Sequence, residues 1–284
     1  MKKINILLFA ALTFLAFGCN EIKPEISPII DNGECAVVNK SEVLTQGRQV
    51  IIEEFTGVRC VNCPGGSEAI EELLDIHGSK LIAVSIHAGF FSPPYPESQY
   101  DFRTSDGDNL LSFLGEPLGF PTAVVNRHQF PNESNLQVGR NSWASYIEQE
   151  LAVPPRIKLA INQDFDVATR ELTIEISVFP EGDFPEEDVR ISAMITENGV
   201  ADMQLTPDGK IADYEHKHIF RDMITNFDGN PLTPEQLATT EGFCKSYVTT
   251  LDEAWDVNKC KVIAFAHLGG ASKQVLQAAE VSLN

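Results

Sequence analysis

The stretch that decides the fold runs from Gln49 to Gly66 and reads QVIIEEFTGVRCVNCPGG. Its apolar, β-branched start, residues 50–52, predicts a buried strand. The chain then turns at Gly57 into Cys60-x-x-Cys63, and the amphipathic segment that follows predicts a helix. Two cysteines at this spacing lie one helical turn apart, close enough to form a disulfide, and the helix dipole favours the thiolate of the first.

Two separate motifs carry a family resemblance. Glu-Phe-Thr-Gly-x-x-Cys-x-x-Cys-Pro at residues 54–64 is followed by Gly-Phe-Pro-Thr at residues 119–122. In this order they resemble the thioredoxin superfamily, over roughly residues 46–152. More narrowly, most of the chain after its N-terminal segment is similar to the twenty-eight-kilodalton outer-membrane protein family, lipoproteins of Gram-negative bacteria sometimes described as adhesins.

Length and charge limit the classes of function. A chain of 284 residues predicts two domains, and its net charge of −20 opposes nucleic-acid backbones and anionic membrane surfaces. We therefore expect no nucleic-acid partner. An acidic, solvated surface that keeps the protein soluble accounts for the charge.

The N-terminus predicts a targeting segment. Lys2 and Lys3 precede an apolar run from Ile4 to Phe17, which is short for a bilayer span and typical of a signal peptide. Residues 1–18 are therefore predicted to be removed. The following Cys19 resembles a bacterial lipoprotein cleavage site and would be lipidated, although Phe17 is bulkier than usual there; a plain secretory signal is the alternative.

Composition and periodicity predict three further segments. Residues 19–46 contain prolines and mixed charges without a period, which favours a tether. Residues 47–153 follow a β-α-β-(α)-β-α order typical of an α/β thioredoxin-like domain, interrupted by a long irregular stretch from Gly89 to Asp108 that is either an insertion or a lid. After Pro154-Pro155 the period changes to two, and residues 154–284 predict an all-β immunoglobulin-like sandwich.

The remaining cysteines suggest crosslinks in an oxidising compartment. Cys60 and Cys63 pair by motif. Cys244 and Cys260 both lie in the predicted sandwich, and we expect a structural disulfide between them. Cys35 is left without a predicted partner.

The Cys60-x-x-Cys63 pair has two interpretations. As a redox site, Cys60 is an exposed nucleophile that attacks a substrate disulfide, and Cys63 resolves the mixed disulfide. As a structural site, the pair is an inert crosslink in a fold used for binding. Zinc lacks further ligands at suitable spacing, and c-type haem would need His where Pro64 stands, so no metal or cofactor is expected.

The thioredoxin resemblance implies roles for four more residues. Glu54 matches the buried carboxylate beneath the cysteines, which would take the proton of Cys63. Strand alternation places Glu53 and Glu54 on opposite faces, so one of them is expected in solvent. Pro121 matches the cis-proline beside the cysteines, which would leave Phe120 and Thr122 to bind an extended substrate. Val61-Asn62 departs from the Gly-Pro of thioredoxins, so the direction of exchange stays open.

Three weaker candidates have ordinary alternatives. His216 and His218 share a face of a predicted strand, as metal ligands do, but hydrogen-bonded histidines are commoner. Asp106-Gly107-Asp108 hints at calcium but lacks the other loop ligands, which favours a turn. His87 ends a predicted strand on the cysteine edge of the sheet, where a satisfied histidine is the alternative.

Two functions remain at this stage. The first is an outer-membrane lipoprotein, anchored through Cys19 on the periplasmic or surface side, that exchanges disulfides with protein thiols through Cys60 and Cys63. The second is a non-catalytic, adhesin-like lipoprotein that binds surface ligands and keeps the pair as a structural crosslink.

Overall fold

The computed structural model describes residues 30–184 and 188–283; the predicted signal peptide and Cys19 lie outside these ranges. The helices are α1 (Cys63–His77), α2 (Ser105–Leu114), α3 (Arg140–Leu151) and α4 (Pro234–Leu237). The strands are β1 (Ile30–Glu34), β2 (Val50–Thr56), β3 (Leu81–His87), β4 (Thr122–Val125), β5 (Gln137–Val138), β6 (Ile157–Phe165), β7 (Glu171–Pro180), β8 (Val189–Glu197), β9 (Val200–Thr206), β10 (Gly209–His216), β11 (Ile219–Met223), β12 (Asn230–Pro231), β13 (Phe243–Thr250), β14 (Cys260–Leu268) and β15 (Val275–Ser282).

The N-terminal half forms a mixed sheet with helices on both faces. β2 is buried along its whole length; it pairs parallel with β3 and antiparallel with β4, which in turn pairs with β5. Because side chains alternate along a strand, Ile51 and Phe55 pack with α2, whereas Val50 and Ile52 pack with α1 and α3. This arrangement agrees with the α/β order predicted from the sequence.

The same sheet continues into the C-terminal half. Its strand order is β15-β14-β8-β11-β3-β2-β4-β5, with β12 also paired to β8. β11 joins the halves by pairing parallel with β3, and the Ser85 amide donates to the carbonyl of His218 at 2.7 Å. Hydrogen bonds thus cross the sequence boundary predicted at Pro154-Pro155, where α3 gives way to β6.

A second sheet packs against the C-terminal part of the first. Its order is β1-β13-β7-β6, and its inward side chains share a core with those of β8, β14 and β15. The period-two residues Leu172, Ile174, Ile176 and Val178 are all fully buried in this core. Two facing sheets are therefore present, but their immunoglobulin-like topology stays a prediction.

The predicted tether is wrong for residues 30–46. β1 pairs antiparallel with β13, and the Val38 backbone amide donates to the Ser177 hydroxyl. The side-chain amide of Gln46 donates to the Leu159 carbonyl and accepts from the Leu159 backbone amide. The partners of this segment lie more than a hundred residues away along the chain. No local sequence pattern predicts such long-range pairing, which explains why this segment was predicted to be a tether.

The predicted Cys244–Cys260 disulfide is also wrong. Cys244 is bonded to Cys35, with a Cα–Cα distance of 5.0 Å, and Cys260 is free and buried. The reason is topological, because Cys244 lies on β13 of one sheet and Cys260 on β14 of the other. Facing sheets lie about 10 Å apart, beyond the span of a disulfide. Burial raises the pKa of the Cys260 thiol to about 12, so this cysteine is unreactive.

Replacing Cys35 by Ser removes a crosslink between cysteines 209 positions apart. Because the bond restricts the unfolded chain, C35S is expected to lower the free energy of unfolding by about 2–5 kcal/mol. Urea unfolding followed by circular dichroism measures this difference. The double variant C35S/C244S should match C35S, since both lack the same bond. Alkylation of Cys244 in unfolded, non-reduced wild-type protein would contradict the assignment.

Candidate redox site

The two motif cysteines are bonded to each other at the start of α1. Their Cα atoms lie 5.4 Å apart, and the Cys60 and Cys63 amides donate to the carbonyls of Gly57 and Cys60. Pro64 occupies the first turn of α1, where its missing amide costs no hydrogen bond. The local sequence therefore forms the strand–turn–helix predicted for it.

Both cysteines are covered, which corrects the expectation of an exposed Cys60. Cys60 and Cys63 are each only 2% exposed. The neighbouring Arg59 and Val61 are exposed, so the turn itself reaches the surface while its sulfur atoms do not. Two segments distant in sequence provide the cover.

The first cover is the long stretch after β3. The Arg59 amide donates to the Phe91 carbonyl at 3.0 Å, and its guanidinium donates to the carbonyls of Pro93 and Pro94. The backbones approach so closely that a Cβ atom at Gly57 would lie 2.4 Å from the Phe91 carbonyl carbon. This stretch therefore covers the cysteine turn, and its role as a lid that contacts a partner stays a prediction.

The second cover is the β9–β10 hairpin. The Leu205 amide donates to the Val58 carbonyl at 2.8 Å, and the buried Gln204 side chain donates to the Cys60 carbonyl at 3.1 Å. The hairpin belongs to the C-terminal half, and the β11–β3 pairing brings it over the N-terminal half. No local feature of the sequence indicated where the hairpin would lie.

Both glutamates of β2 are buried, so the expectation that one faces solvent is wrong. Glu53 and Glu54 point to opposite faces of a sheet that is covered on both sides. Glu53 forms two hydrogen bonds with Arg127, at 2.6 and 2.8 Å, and both side chains are fully buried. The Arg127 guanidinium also lies 4.7 Å from the Phe265 ring centroid. No sequence motif marked Arg127.

Glu54 lacks such a charge partner. One carboxyl oxygen accepts a hydrogen bond from the Ser85 hydroxyl at 3.2 Å, and Oε1 has no partner among the described residues. Removal from water raises the pKa of Glu54 to about 8, although the Ser85 bond opposes this shift. The carboxyl thus holds its proton at neutral pH far more than an exposed glutamate does.

Glu54, the first turn of α1 and Pro121 meet at Gly66. A Cβ atom at Gly66, three residues after Cys63, would lie 2.5 Å from Glu54 Oε1 and 2.8 Å from Pro121 Cβ. Only glycine permits both approaches. The Phe120–Pro121 peptide bond is cis, as the motif implies. The sequence-predicted Glu54 and Pro121 therefore lie next to the same turn of α1 that begins with Cys63.

The two predicted substrate-binding residues differ in environment. Thr122 is buried, and its hydroxyl donates to the Val138 carbonyl at 3.2 Å. Phe120 is partly exposed, with its ring 5.5 Å from that of Phe91. Leu118, two residues before Phe120, and Phe90, directly before Phe91, are both strongly exposed. Substrate binding at Phe120 and Thr122 stays a prediction.

A family profile described as outer membrane protein Omp28 matches residues 116–284, more than half of the chain. The chain belongs to the Omp28 outer membrane protein family. This membership confirms the narrower sequence resemblance and indicates a location in the cell envelope. The match begins after Cys60 and Cys63, so it carries no information about them.

Solved structures similar to this Omp28-family chain support its fold. HBP35 of Porphyromonas gingivalis has a TM-score of 0.68 at 20% identity, with 83% of this chain and 75% of that chain covered. Protein AGR_C_4864 from Agrobacterium tumefaciens has a TM-score of 0.52 at 14% identity, with 84% and 96% covered. At such identities the likeness concerns the fold alone. A search of the curated proteins finds no match.

Within 30–184 and 188–283, no helix has the length and apolar character needed to cross a bilayer. In the same ranges, no group of three or more His, Cys, Asp or Glu side chains is arranged to hold a metal ion.

The weaker sequence candidates lie apart from one another. His216 is buried at the end of β10, whereas His218 bonds Glu71 at 2.8 Å from the turn before β11, so the two do not share a strand face. Asp106 and Asp108 belong to the first turn of α2, where the Thr104 side chain caps the helix. His87 does lie on the cysteine edge, and its Nδ1 has no partner among the described residues.

Replacing Glu54 by Gln tests the buried carboxyl. Between about pH 4.5 and pH 8, the folded protein holds a proton that the unfolded chain has lost, so stability falls as pH rises through this interval. The Glu54 contribution to this fall is on the order of 4 kcal/mol, and E54Q lacks it, so the stability of E54Q relative to wild type should rise with pH. Urea unfolding at pH 5, 7 and 9 measures it.

A matched control is Glu71→Gln. Bonds to His218 and Lys217 lower the pKa of Glu71 to about 2, so E71Q loses an interaction already present at pH 5. Its stability relative to wild type should therefore not rise with pH, unlike that of E54Q. Parallel pH profiles for E54Q and wild type would show that Glu54 is ionised in the folded protein.

Proposed function

We propose that this Omp28-family protein is a lipid-anchored envelope protein whose thioredoxin-like domain exchanges disulfides with envelope or surface proteins through Cys60 and Cys63. The observation that carries the proposal is the buried Glu54 carboxyl, which lies beside the first turn of α1 with one oxygen lacking a partner. The immunoglobulin-like assignment of the C-terminal sheets belongs to the same proposal, with these sheets positioning the redox domain.

A structural crosslink would not need this carboxyl. Burying a polar group without full hydrogen bonding costs roughly 1–3 kcal/mol, and an apolar residue at position 54 would avoid the cost. A redox pair, by contrast, must release and recover a proton at the buried cysteine. The Glu54 pKa of about 8 lies close to that of an ordinary thiol, so a proton passes between the two groups with little driving force either way.

The exchange conserves atoms and electrons. The Cys60 thiolate attacks a sulfur of the substrate disulfide and releases one substrate thiolate, which leaves a mixed disulfide on Cys60. Glu54 accepts the Cys63 proton, and the Cys63 thiolate attacks the Cys60 sulfur and releases the second substrate thiolate. Two electrons pass from the protein dithiol to the substrate, and the Cys60–Cys63 disulfide re-forms. The reverse sequence oxidises a substrate dithiol.

Substrate must displace part of the cover before this chemistry begins. Both the β9–β10 hairpin and the stretch around Phe91 bond the cysteine turn directly. A substrate therefore reaches Cys60 only when one of these two segments moves away. We place the substrate segment along Phe120 and Thr122, next to Pro121. The exposed Phe90 and Leu118 offer apolar contact area at the same edge.

The cover also favours a second candidate function. With Cys60 and Cys63 each 2% exposed, the pair suits a non-catalytic, adhesin-like lipoprotein in which the disulfide only fixes the start of α1. In that case, the protein would bind surface ligands through other faces. The two candidates differ in whether the folded protein accepts electrons at Cys60.

A dithiol-driven assay of substrate-disulfide reduction separates the candidates. Wild type should accelerate reduction of a protein disulfide by dithiothreitol, and Cys60→Ser should return the rate to the uncatalysed background, because no mixed disulfide forms. Gln204→Ala removes the side-chain hydrogen bonds from Gln204 to the carbonyls of Gly57 and Cys60, and it should raise the rate at least about fivefold above that of wild type. Turbidity of reduced insulin gives the rate.

Ile211→Ala is the matched control, since Ile211 lies exposed on the same hairpin. Its rate should equal that of wild type. A disulfide that resists reduction until the protein unfolds, together with equal background rates for wild type and C60S, would support the non-catalytic candidate.

Lipid anchoring through Cys19 is tested separately. Membrane fractions of cells fed a labelled fatty acid should contain labelled wild-type protein, and Cys19→Ser should lose the label and leave the membrane fraction, because one cysteine carries the acyl chains. Wild-type protein without label would instead indicate a plain secretory signal.

A further inference from the structure

A small polar cavity lies behind the buried cysteine. Its volume is about 10 Å³, and Cys63 lines it together with side chains from β2, β3, α1 and the β9–β10 hairpin. Cys60 is not among its lining residues. A cavity of this size admits no more than a single water-sized group.

His87 faces this cavity from the end of β3. It is 3% exposed, it lies opposite Thr56 of β2 in the parallel register, and both residues line the cavity with Cys63. The Nδ1 atom of His87 has no hydrogen-bond partner among the described residues. Such an orphaned atom is costly in a folded interior, so a state that supplies a partner is favoured.

Several other polar groups of the cavity are already engaged. His216 Nε2 lies 3.4 Å from the Met203 carbonyl, the Tyr214 hydroxyl bonds Ser67, and the Lys217 ammonium bonds Glu71. His87 differs from these groups because its Nδ1 has no partner among the described residues and its side chain lines the same cavity as Cys63.

We propose that His87 Nδ1 forms a hydrogen bond with the Cys63 sulfur when the Cys60–Cys63 disulfide opens, and that His87 thereby favours the reduced form of the pair. This inference rests on the proposed function only in that the pair must be reducible in the folded protein. Reduction breaks the sulfur–sulfur bond with two electrons and two protons, supplied by two glutathione thiols that become one disulfide.

Either protonation state of Cys63 provides the partner. A thiolate accepts from the Nδ1–H tautomer, and a thiol donates to the unprotonated Nδ1. In the disulfide, the Cys63 sulfur has no proton to donate and no negative charge, so it is a much weaker hydrogen-bond partner for Nδ1. His87 is therefore a positioning residue that acts on the redox equilibrium rather than on substrate.

His87 itself stays neutral in this arrangement. Burial holds the pKa of His87 well below the ordinary histidine value; the nearby His216 and the Arg221 guanidinium act in the same direction, and the Ser85 backbone acts against it. Burial also lowers the pKa of His216 to about 4. Glu54 and Tyr214 add no positive charge. The effect of His87 is therefore a hydrogen bond from a neutral ring, not an ion pair.

The test is the equilibrium constant for reduction of Cys60–Cys63 in glutathione redox buffers at pH 7, read by quenched alkylation and mass spectrometry. His87→Phe keeps an aromatic ring but removes the nitrogen. It should lower the reduction equilibrium constant about tenfold, which corresponds to about 30 mV. His87→Asn restores a polar atom near the Nδ1 position and should recover most of the difference.

His216→Phe is the matched control, because it changes the same residue type in the same cavity at a nitrogen that already has a partner. It should shift the equilibrium less than His87→Phe. Circular dichroism of each oxidised variant establishes that it is folded. If His87→Phe does not fold, the comparison of His87→Asn with wild type still tests the role of His87.

The outcomes are distinct. A wild-type pair reducible in the folded protein, with equal constants for wild type, H87F and H87N, overturns the role of His87 and leaves the proposed exchange intact. A shift in H216F as large as in H87F also overturns it. A pair that no glutathione ratio reduces in folded wild type overturns both the inference and the proposed function.

Discussion

The parallel pairing of β11 with β3 is the constraint on which the rest of the molecule depends. It makes one sheet out of strands from both halves of the chain, so β8, β14 and β15 extend the sheet that carries the cysteine helix. The β9–β10 hairpin enters directly before β11, and its position over Cys60 follows from that attachment. Without this pairing, the cysteine turn would keep only the cover from its own half, the stretch around Phe91. Here the fold of one half determines the access to the chemistry of the other.

A sheet covered on both faces imposes a second requirement, because a buried polar side chain needs a hydrogen-bond partner. Glu53 is paired with Arg127, and Glu150 is bonded to Arg48 and Asn126. Removal of one member of such a pair is expensive because the other charge is left buried. Glu54 has no cationic partner of this kind; one carboxyl oxygen of Glu54 and Nδ1 of His87 lack a hydrogen bond among the described residues. Both residues lie near Cys63, where such groups are open to a change of partner when the disulfide opens.

Local features of the fold were predictable from the sequence. The strand, turn and helix around Cys60 follow from neighbouring residues, and so does the alternation that buries Leu172, Ile174, Ile176 and Val178. The contacts that decide access were not. Cys35 meets Cys244, and Gln204 meets Cys60, only after strands far apart in sequence have paired. Glu53 was expected in solvent as readily as Glu54, because Arg127 gives no local signal.

The cover and the redox pair are compatible when the energy of opening is considered. On the hairpin side, the Leu205 amide bonds the Val58 carbonyl, and the Gln204 side chain bonds the carbonyls of Gly57 and Cys60. At about 1 kcal/mol each, the loss of these bonds alone costs on the order of 3 kcal/mol, so at most about one molecule in two hundred is open on this side at equilibrium. The outer strand β10 is largely exposed, but β9 is largely buried and its Val200 packs in one apolar cluster with Val58 and Phe102, so opening also gives up these contacts. Under the proposed function, such a population would slow exchange without preventing it and would limit the reaction to partners whose binding replaces the lost contacts. Burial of Cys60 would then select partners, whereas the carboxyl of Glu54 and the imidazole of His87 would act on the proton of Cys63 and on the redox equilibrium.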